Sequence, residues 1–274
     1  MARVASWLVR WGLMALAVVV AVYPLLFMIQ TSLRTQMDFL VGGLWRVPTD
    51  PVWTHYASVL RAGFTRYLAN TALVASTSVL AIAALGAMAA YVLARSRLFG
   101  LRLLFVLFVA GMLIPVHITL IPVYVLTRVL GLYDSLLGLI GPYVAFNLPV
   151  TIFILTGFFR DFPAELEEAA AIDGCSPARA FWSVVLPLSG PRLLTVVIYN
   201  VVILWNEFIF ALVLTSSPSR WILTLGLWNF QGQYGLNVPA IMASVALSVL
   251  PLIVLYLVGQ EKVMRGVLGG ALKG

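Results

Sequence analysis

An all-α, polytopic membrane protein with six transmembrane helices and a cytoplasmic helix-turn-helix coupling insert is the architecture that this sequence predicts, and three observations carry it. Of 274 residues, 62% are apolar and only 10% charged, against about 45–50% and about 25% in an ordinary soluble domain. A water-soluble globular protein is therefore excluded. About twenty consecutive, mostly apolar residues cross a bilayer, and six such stretches lie at 12–33, 68–94, 103–126, 136–158, 193–214 and 238–259. One connection, 160–192, holds five of the ten acidic residues. Spans and connections use nearly all of the chain, so 1–274 reads as a single transmembrane domain.

The first apolar segment follows Arg3 and Arg10 and contains the small pair Ala15 and Ala17, as a secretory signal would. A signal's apolar region runs for about 7–15 residues, whereas this one continues through Ile29, so an uncleaved anchor is expected. Residues 34–67 form a long outer connection. Gly42, Gly43, Pro48 and Pro51 are its turn formers, and Trp45, Trp53, Tyr56 and Tyr67 its interfacial anchors. Two short basic connections follow, RSRLFGLR at 95–102 on the inner face and RVLGLYDS at 128–135 on the outer. Between them, Pro115 and Pro122 flank His117 and predict irregular backbone in the third span, where freed carbonyls can line a passage. A lone histidine in a span is nevertheless more often bonded to a neighbouring helix.

The acidic connection has its own local code. Asp161 reads as a helix cap, Pro163 as a first-turn residue, and Glu165, Glu167 and Glu168 favour the positive end of the helix dipole. The run AELEEAAAI continues as helix, Gly174 stops it in a left-handed conformation, Ser176 and Pro177 restart a second helix, and Pro187 ends that one. Helices that lie on lipid are usually rich in lysine and arginine, so three glutamates argue against that placement. Ala169, Ala170 and Ala171 are small enough to let the backbone sink into a groove on another protein.

In the fifth span, Glu207 stands beside Asn206. A charge at the centre of a span costs about 2.5–3.5 kcal/mol on insertion scales, and lining a pathway or bonding to another helix would each relieve it. Asn206, Glu207 and His117, with Asn200 behind them, are the pathway candidates. The following connection, 216–237, is read as an outer loop in which Trp221, Trp228, Phe230 and Tyr234 alternate with Asn229, Gln231 and Gln233. Aromatic faces stack on sugar rings while amides bond hydroxyls.

The net charge of +7 is resolved by position. With the N-terminus inside, eleven basic residues fall on the cytoplasmic side and six outside, which supports two cytoplasmic termini and accounts for the basic character without nucleic acid. Cys175 is the single cysteine, so no intramolecular disulfide forms. There is no Gly-Lys pair, hence no phosphate-binding loop and no ATP hydrolysis by this chain. Two histidines and one cysteine give no zinc spacing, and no metal site is expected. Tyr133 and Asp134 supply half of an intramembrane aspartyl protease signature whose second half is absent. An ion-coupled secondary transporter or channel is the alternative class, but only Glu207 would serve as its intramembrane carboxylate, and the acidic insert would have no role.

Glu168, Ala169, Ala170, Gly174, Val184, Leu186 and Pro187 fit the pattern E-A-A-x3-G-x9-apolar-x-L-P. This resembles the signature loop of the membrane permeases of binding-protein-dependent ABC importers, with Val184 where isoleucine is common. The similarity continues through RYLANTALVA at 66–75, AAYVLAR at 89–95, IPVHITLIPVYVLTRVLGLYDS at 114–135, WNEF at 205–208, LWNFQGQYG at 227–235 and RGVLGGALKG at 265–274. Together these resemble the shorter of two paired permeases in maltose-type carbohydrate importers. The resemblance implies that Glu165, Glu168, Ala169, Ala170, Gly174, Leu186 and Pro187 couple to a cytoplasmic ATPase. It implies that Gly266, Gly269 and Lys273 in the tail also touch the ATPase, and that Trp228, Asn229, Gln231, Gln233 and Tyr234 reach a binding protein's cleft. The implied partners are a homologous permease, two ATPase subunits that carry ATP and Mg, an extracellular solute-binding protein and membrane lipid. No cofactor is expected in this chain, and the implied location is a bacterial inner membrane.

The charge count sets a topology that can be measured. In a Cys175→Ala background, single cysteines at Asp50 or Gly232 should react with an impermeant thiol reagent added outside, and ones at Glu168 or Lys273 should not. Outside labelling at Glu168 would invert the orientation.

Overall fold

The computed structural model describes the backbone of residues 2–234 and 237–271 and the side chains of residues 6–228 and 237–257. Fourteen α-helices and no strand occur among the described residues: α1 Ala2–Ser32, α2 Gln36–Val41, α3 Thr54–Val59, α4 Thr65–Arg95, α5 Phe99–Gly111, α6 Leu120–Val129, α7 Leu137–Arg160, α8 Ala164–Ile172, α9 Pro177–Ala180, α10 Leu186–Leu188, α11 Gly190–Trp205, α12 Ile209–Leu214, α13 Leu223–Tyr234 and α14 Val238–Ala271. Among the described residues, four stretches are long and apolar enough to cross a membrane, Ser6–Ser32, Thr54–Arg95, Leu137–Arg160 and Val238–Leu257. The number reaches six if each of two bent pairs counts as one span. These are Phe99–Gly111 with Val116–Val129, bent by 94°, and Pro177–Leu188 with Gly190–Trp205, bent by 75°.

The expected boundaries shift where tertiary structure adds helix. The second long helical stretch begins at Thr54 rather than Leu68, because α3 leads through Leu60–Phe64 into α4, with a kink at Gly63, where φ is 99°. The fifth predicted span, 193–214, is two helices, α11 and α12, with a break between them. At 16 residues α11 is about 24 Å long, short of a hydrocarbon core of about 30 Å, and it passes as a span only together with Pro177–Leu188.

The chain divides into two compact units, Met1–Arg66 with Gly226–Ile253, and Tyr67–Leu225 with Val254–Gly274. In the first, the connection after α1 folds around Arg34. Sequence reasoning counted Arg34 as an outer-loop charge, yet it is only 1% exposed. Its Nε lies 2.6 Å from Asp38 Oδ2, Nη1 donates to the Gly43 carbonyl at 2.8 Å, and Nη2 donates to the Asp38 carbonyl at 2.6 Å. The guanidinium is planar and offers five donors, so one side chain gathers the whole turn. His55 Nε2 lies 3.0 Å from the Arg34 carbonyl, and the Tyr56 hydroxyl 2.6 Å from Ser32 Oγ, which fasten the start of α3 to the end of α1.

In the second unit, α4 and α7 approach closely at Gly86. A Cβ there would stand 2.6 Å from Thr151 Cγ2. The Thr151 hydroxyl accepts from Asn200 Nδ2 at 3.0 Å, so α4, α7 and α11 meet at one point. Two apolar clusters flank it. One joins Val79, Ile82, Leu139, Leu204, Phe210 and Leu214, and the other Ala87, Ala90, Leu155, Phe159, Phe181 and Val185.

Gly86→Ala should destabilise the detergent-solubilised protein by about 1–3 kcal/mol, the usual cost of overpacking. Thr151→Ser removes the offending methyl and keeps the hydroxyl for Asn200, so the double variant should recover most of the loss. Thermal melts of the two single variants and the double check this, and simple additivity would refute the contact.

Candidate functional site: the acidic insert and the broken helices

The insert is shaped by short-range chemistry. Its first helix, α8, starts after Pro163, which has φ −56° and ψ 120°. Asp161 does not cap it, contrary to expectation, but is the C-cap of α7, its N–H bonding the Gly157 carbonyl at 3.3 Å. Proline disfavours helical backbone at the residue before it, so the new helix begins only beyond Pro163. The far end follows the sequence reading. Gly174 has φ 81°, its N–H reaches the Ala171 carbonyl at 3.0 Å, and the Cys175 N–H reaches the Ala170 carbonyl at 2.9 Å, a Schellman closure. Ser176 then caps α9 by accepting from the Arg179 N–H at 3.3 Å, with Pro177 in the first turn. The chain continues through a π-helical stretch, Phe181–Val185, into α10, which contains Pro187 and ends at Leu188, so the stop lies one residue beyond the expected one.

These helices present two different faces. Phe162, Ala170, Ala180, Phe181 and Val185 are buried. Glu165, Glu168, Ala169, Ala171 and Asp173 are exposed, and Ile172 is 86% exposed. Of the three alanines expected to seat in a partner's groove, Ala170 therefore packs inward and supports the helix from behind. Gly174 and Pro187 are exposed and Leu186 is half-buried. Glu167 also turns inward, toward Arg95 and Tyr91 of α4.

The predicted irregularity of the third span is present. Helix α5 ends at Gly111, Pro115 stands at the cap of a 3₁₀ turn, Val116–Thr119, and α6 follows. His117 is exposed, and its ring has no hydrogen-bond partner among the described residues.

At 206–208 the chain breaks between α11 and α12, and Glu207 repairs the break. Its carboxylate accepts from the Phe210 N–H at 2.7 Å and the Ala211 N–H at 3.4 Å, capping α12, and from the Tyr143 hydroxyl of α7. Its carbonyl accepts from Thr224 Oγ1 at 2.5 Å. Beyond α12, Asn70 Nδ2 donates to the carbonyls of Ser219 at 3.1 Å and Trp221 at 2.8 Å, and Thr71 Oγ1 accepts from the Leu223 N–H at 2.7 Å. Asp134, at φ 56°, accepts from the Ser216 and Ser217 N–H groups, each at 2.9 Å, and from the Ser217 hydroxyl. That hydroxyl and those amides hold the Asp134 carboxyl below its ordinary range.

Between the two readings of Glu207, the geometry fulfils the interhelical bond. Asn206 is exposed, its amide donating to the Val202 carbonyl at 2.8 Å. Asn200 is buried, donating to Thr151 and to the Val196 carbonyl. Sequence reasoning missed Asn70, Thr71, Tyr143 and Thr224 and gave Asp134 only a protease reading. The signal was present in the polar pair Asn70–Thr71, set in an otherwise apolar run. The expected outer loop at 216–237 is largely helix α13. Trp228 is 61% exposed, while the side chains of Asn229, Gln231, Gln233 and Tyr234 lie outside the described residues. In the tail, α14 carries helical backbone through Gly266 and Gly269. Their surroundings, and Lys273 altogether, lie outside the described residues. Among the described residues, no group of three or more His, Cys, Asp or Glu is placed to hold a metal.

Residues 82–267 match the family model described as the binding-protein-dependent transport system inner membrane component. The chain is 50% identical over 267 residues to a putative ABC transporter permease protein of Caldicellulosiruptor sp. (strain Rt8B.4), covering 97% of each. It is 32% identical to a diacetylchitobiose uptake system permease protein of Streptomyces coelicolor, covering 96% of this chain and 87% of the relative. Its fold matches a crystal structure of a bacterial ABC transporter involved in the import of the acidic polysaccharide alginate, with a TM-score of 0.81 at 24% identity, over 95% of this chain and 97% of the other.

The Asp134 clamp makes the connection after α12 sensitive to acid. A carboxyl whose folded pKa lies below its ordinary value of 3.8 contributes fully above that value, and its contribution is lost as pH falls through the lower folded value. Asp134→Ala should speed hydrogen exchange at the Ser216 and Ser217 amides about two- to tenfold at neutral pH, the worth of roughly one net hydrogen bond. Wild-type protein should approach the same relative rates only below the ordinary carboxylate range. Unchanged exchange in the variant would refute the clamp.

Proposed function

The chain belongs to the family of binding-protein-dependent transport system inner membrane components, and from that premise we propose that it is the permease subunit of an ATP-driven importer. The cargo is a sugar or oligosaccharide, delivered by an extracellular solute-binding protein and passed into the cytoplasm. One observation carries the reading. Helix α8 is fastened by its buried face and exposes carboxylates beside an 86%-exposed Ile172, the composition of a protein-docking surface rather than of a lipid-facing helix.

Glu165, Glu168, Ala169 and Gly174 then form the contact with a cytoplasmic ATPase, Ala170 supports it from behind, and Leu186 and Pro187 set where the second insert helix turns into α11. The tail at Gly266, Gly269 and Lys273 provides a second ATPase contact. ATP and Mg are held by two such ATPase subunits, while a homologous permease completes the membrane pair in a bacterial inner membrane with both termini of this chain cytoplasmic. Trp228, Asn229, Gln231, Gln233 and Tyr234 face the binding protein. The carbohydrate cargo is supported by the diacetylchitobiose relative and by the aromatic and amide composition of 221–234. Within the spans, Glu207 and Asn200 are engaged in bonds inside the chain. The paired permease therefore supplies most of any sugar site, with His117 and Asn206 as this chain's contribution.

A secondary carrier would need a carboxylate free to take up and release an ion. Glu207, the one candidate, is engaged in capping α12 and bonding Tyr143.

The test is sugar uptake and ATP hydrolysis by the whole complex in liposomes, with and without binding protein, using the sugar identified by mass spectrometry on the purified binding protein. Gly174→Val places a β-branched residue where φ is 81°, a conformation such residues essentially do not adopt. It should leave membrane insertion intact and weaken co-purification of the ATPase at least about tenfold. Sugar uptake by this chain alone, without ATP, would overturn the proposal in favour of a secondary carrier.

A further inference from the structure

Two glutamates stand side by side on α8 and face opposite ways. Glu168 is exposed. Glu167 has a side chain only 18% exposed, and its carboxylate turns back onto α4. One oxygen accepts from Arg95 Nε at 2.8 Å and from Arg95 Nη2, and the other accepts from the Tyr91 hydroxyl at 2.8 Å. Arg95 Nη2 also donates to the Phe162 carbonyl at 3.1 Å, on the link between α7 and α8. The Tyr91 ring packs against Phe181 at 4.9 Å between centroids and meets Phe159 edge-on at 5.9 Å. One carboxylate therefore gathers α4, the end of α7 and the insert.

The covalent chain joins the insert to α7 on one side and to α11 on the other. Helix α4 lies more than seventy residues away in sequence, and the Glu167 contacts with it span 72 and 76 residues. An exposed ion pair would add little. Here a guanidinium presents two donors to one carboxylate, a phenol fills the other oxygen, and both charged side chains are largely shielded, the arrangement in which charge-assisted bonds hold geometry. Arg95 and Tyr91 are four residues apart, on one face of α4, so the tie grips that helix at two successive turns.

We propose that Glu167 is a positioning residue that makes α4 move with the insert, so that a displacement imposed on the exposed Glu168 face by a partner reaches α4 directly as well as α7 and α11. The proposal rests on the importer reading and goes beyond it by dividing the two glutamates, with Glu168 for docking and Glu167 for transmission.

The experiment uses the complete complex in liposomes with its loaded binding protein and reads sugar taken up per ATP hydrolysed. Glu167→Gln keeps the shape and removes the charge. It should retain stoichiometric ATPase and stimulated hydrolysis, while sugar per ATP falls about tenfold, within the range of an ordinary coupling free energy. Glu167→Asp, which keeps the charge, should recover part of that loss, and Tyr91→Phe, which removes one hydroxyl and leaves the ion pair, should cost less than Glu167→Gln. Glu168→Gln should do the reverse, weakening ATPase association while assembled complexes keep the wild-type ratio. Wild-type sugar per ATP in both Glu167→Gln and Tyr91→Phe would overturn the proposal alone, as would loss of ATPase association in Glu167→Gln, which would place Glu167 on the docking face. A wild-type complex whose hydrolysis ignores the binding protein would overturn the importer reading and this proposal with it.

Discussion

Hydrocarbon offers no partner to a backbone amide or carbonyl, and each one left unsatisfied there costs several kcal/mol. Continuous helix meets this requirement by itself, and α4 from Thr65 to Arg95, which has no proline, needs nothing more. The segment between Asn206 and Thr224 does not meet it. Its free amides and carbonyls are taken up instead by Glu207, Thr224, Asn70, Thr71 and Asp134. Polar side chains that look costly in an apolar sequence are what pairs the non-helical backbone here. These bonds act together with apolar packing, since Phe210, Ala211 and Leu214 of α12 are buried in one cluster with Leu139 and Leu204.

The same economy of polar groups governs the insert, with a different result. Helix α8 has nine residues, below the length at which an isolated helix is stable in water, so it exists by virtue of what it packs on. Its Ala170 is buried, the neighbouring Phe162, Phe181 and Val185 join Leu155 and Phe159 of α7 and Ala87 and Ala90 of α4 in one apolar cluster, and Glu167 adds the polar tie to α4. A surface held this way is rigid from beneath and open above, as is required if a force applied from outside is to be passed on rather than absorbed.

Legibility from sequence followed the range of the interactions. Gly174, Ser176 and Pro177 behave as read, because caps and turns are decided within four or five residues. The irregular third span was legible from Pro115 for the same reason. Asp161 misled, since its competing role at the end of α7 depends on where Pro163 permits the next helix to begin. Arg34 was legible only as a charge. Counting it as an outer charge was sound statistics for topology, but its carboxylate and carbonyl partners exist only once the turn at Gly43 has formed. The loop assigned to 216–237 proved to be mostly helix because glycines and amides weaken helical propensity without forbidding helix, and tertiary packing of Ile222, Leu223 and Leu225, each at most 4% exposed, overrides that preference.

Composition and hydrophobic length were sufficient to predict the membrane class and the approximate spans, local motifs the turns of the insert, and the resemblance of the motif residues the family, since all of these are properties of the chain read in one dimension. Tertiary structure alone decided which of two adjacent glutamates faces out, that Ala170 faces in, that Glu207 caps a helix against Tyr143, and that Asn70, Thr71 and Asp134 close the connection beyond α12. Each of these depends on partners separated by tens of residues or more, and a side chain's direction relative to a distant helix has no signature in its own neighbourhood.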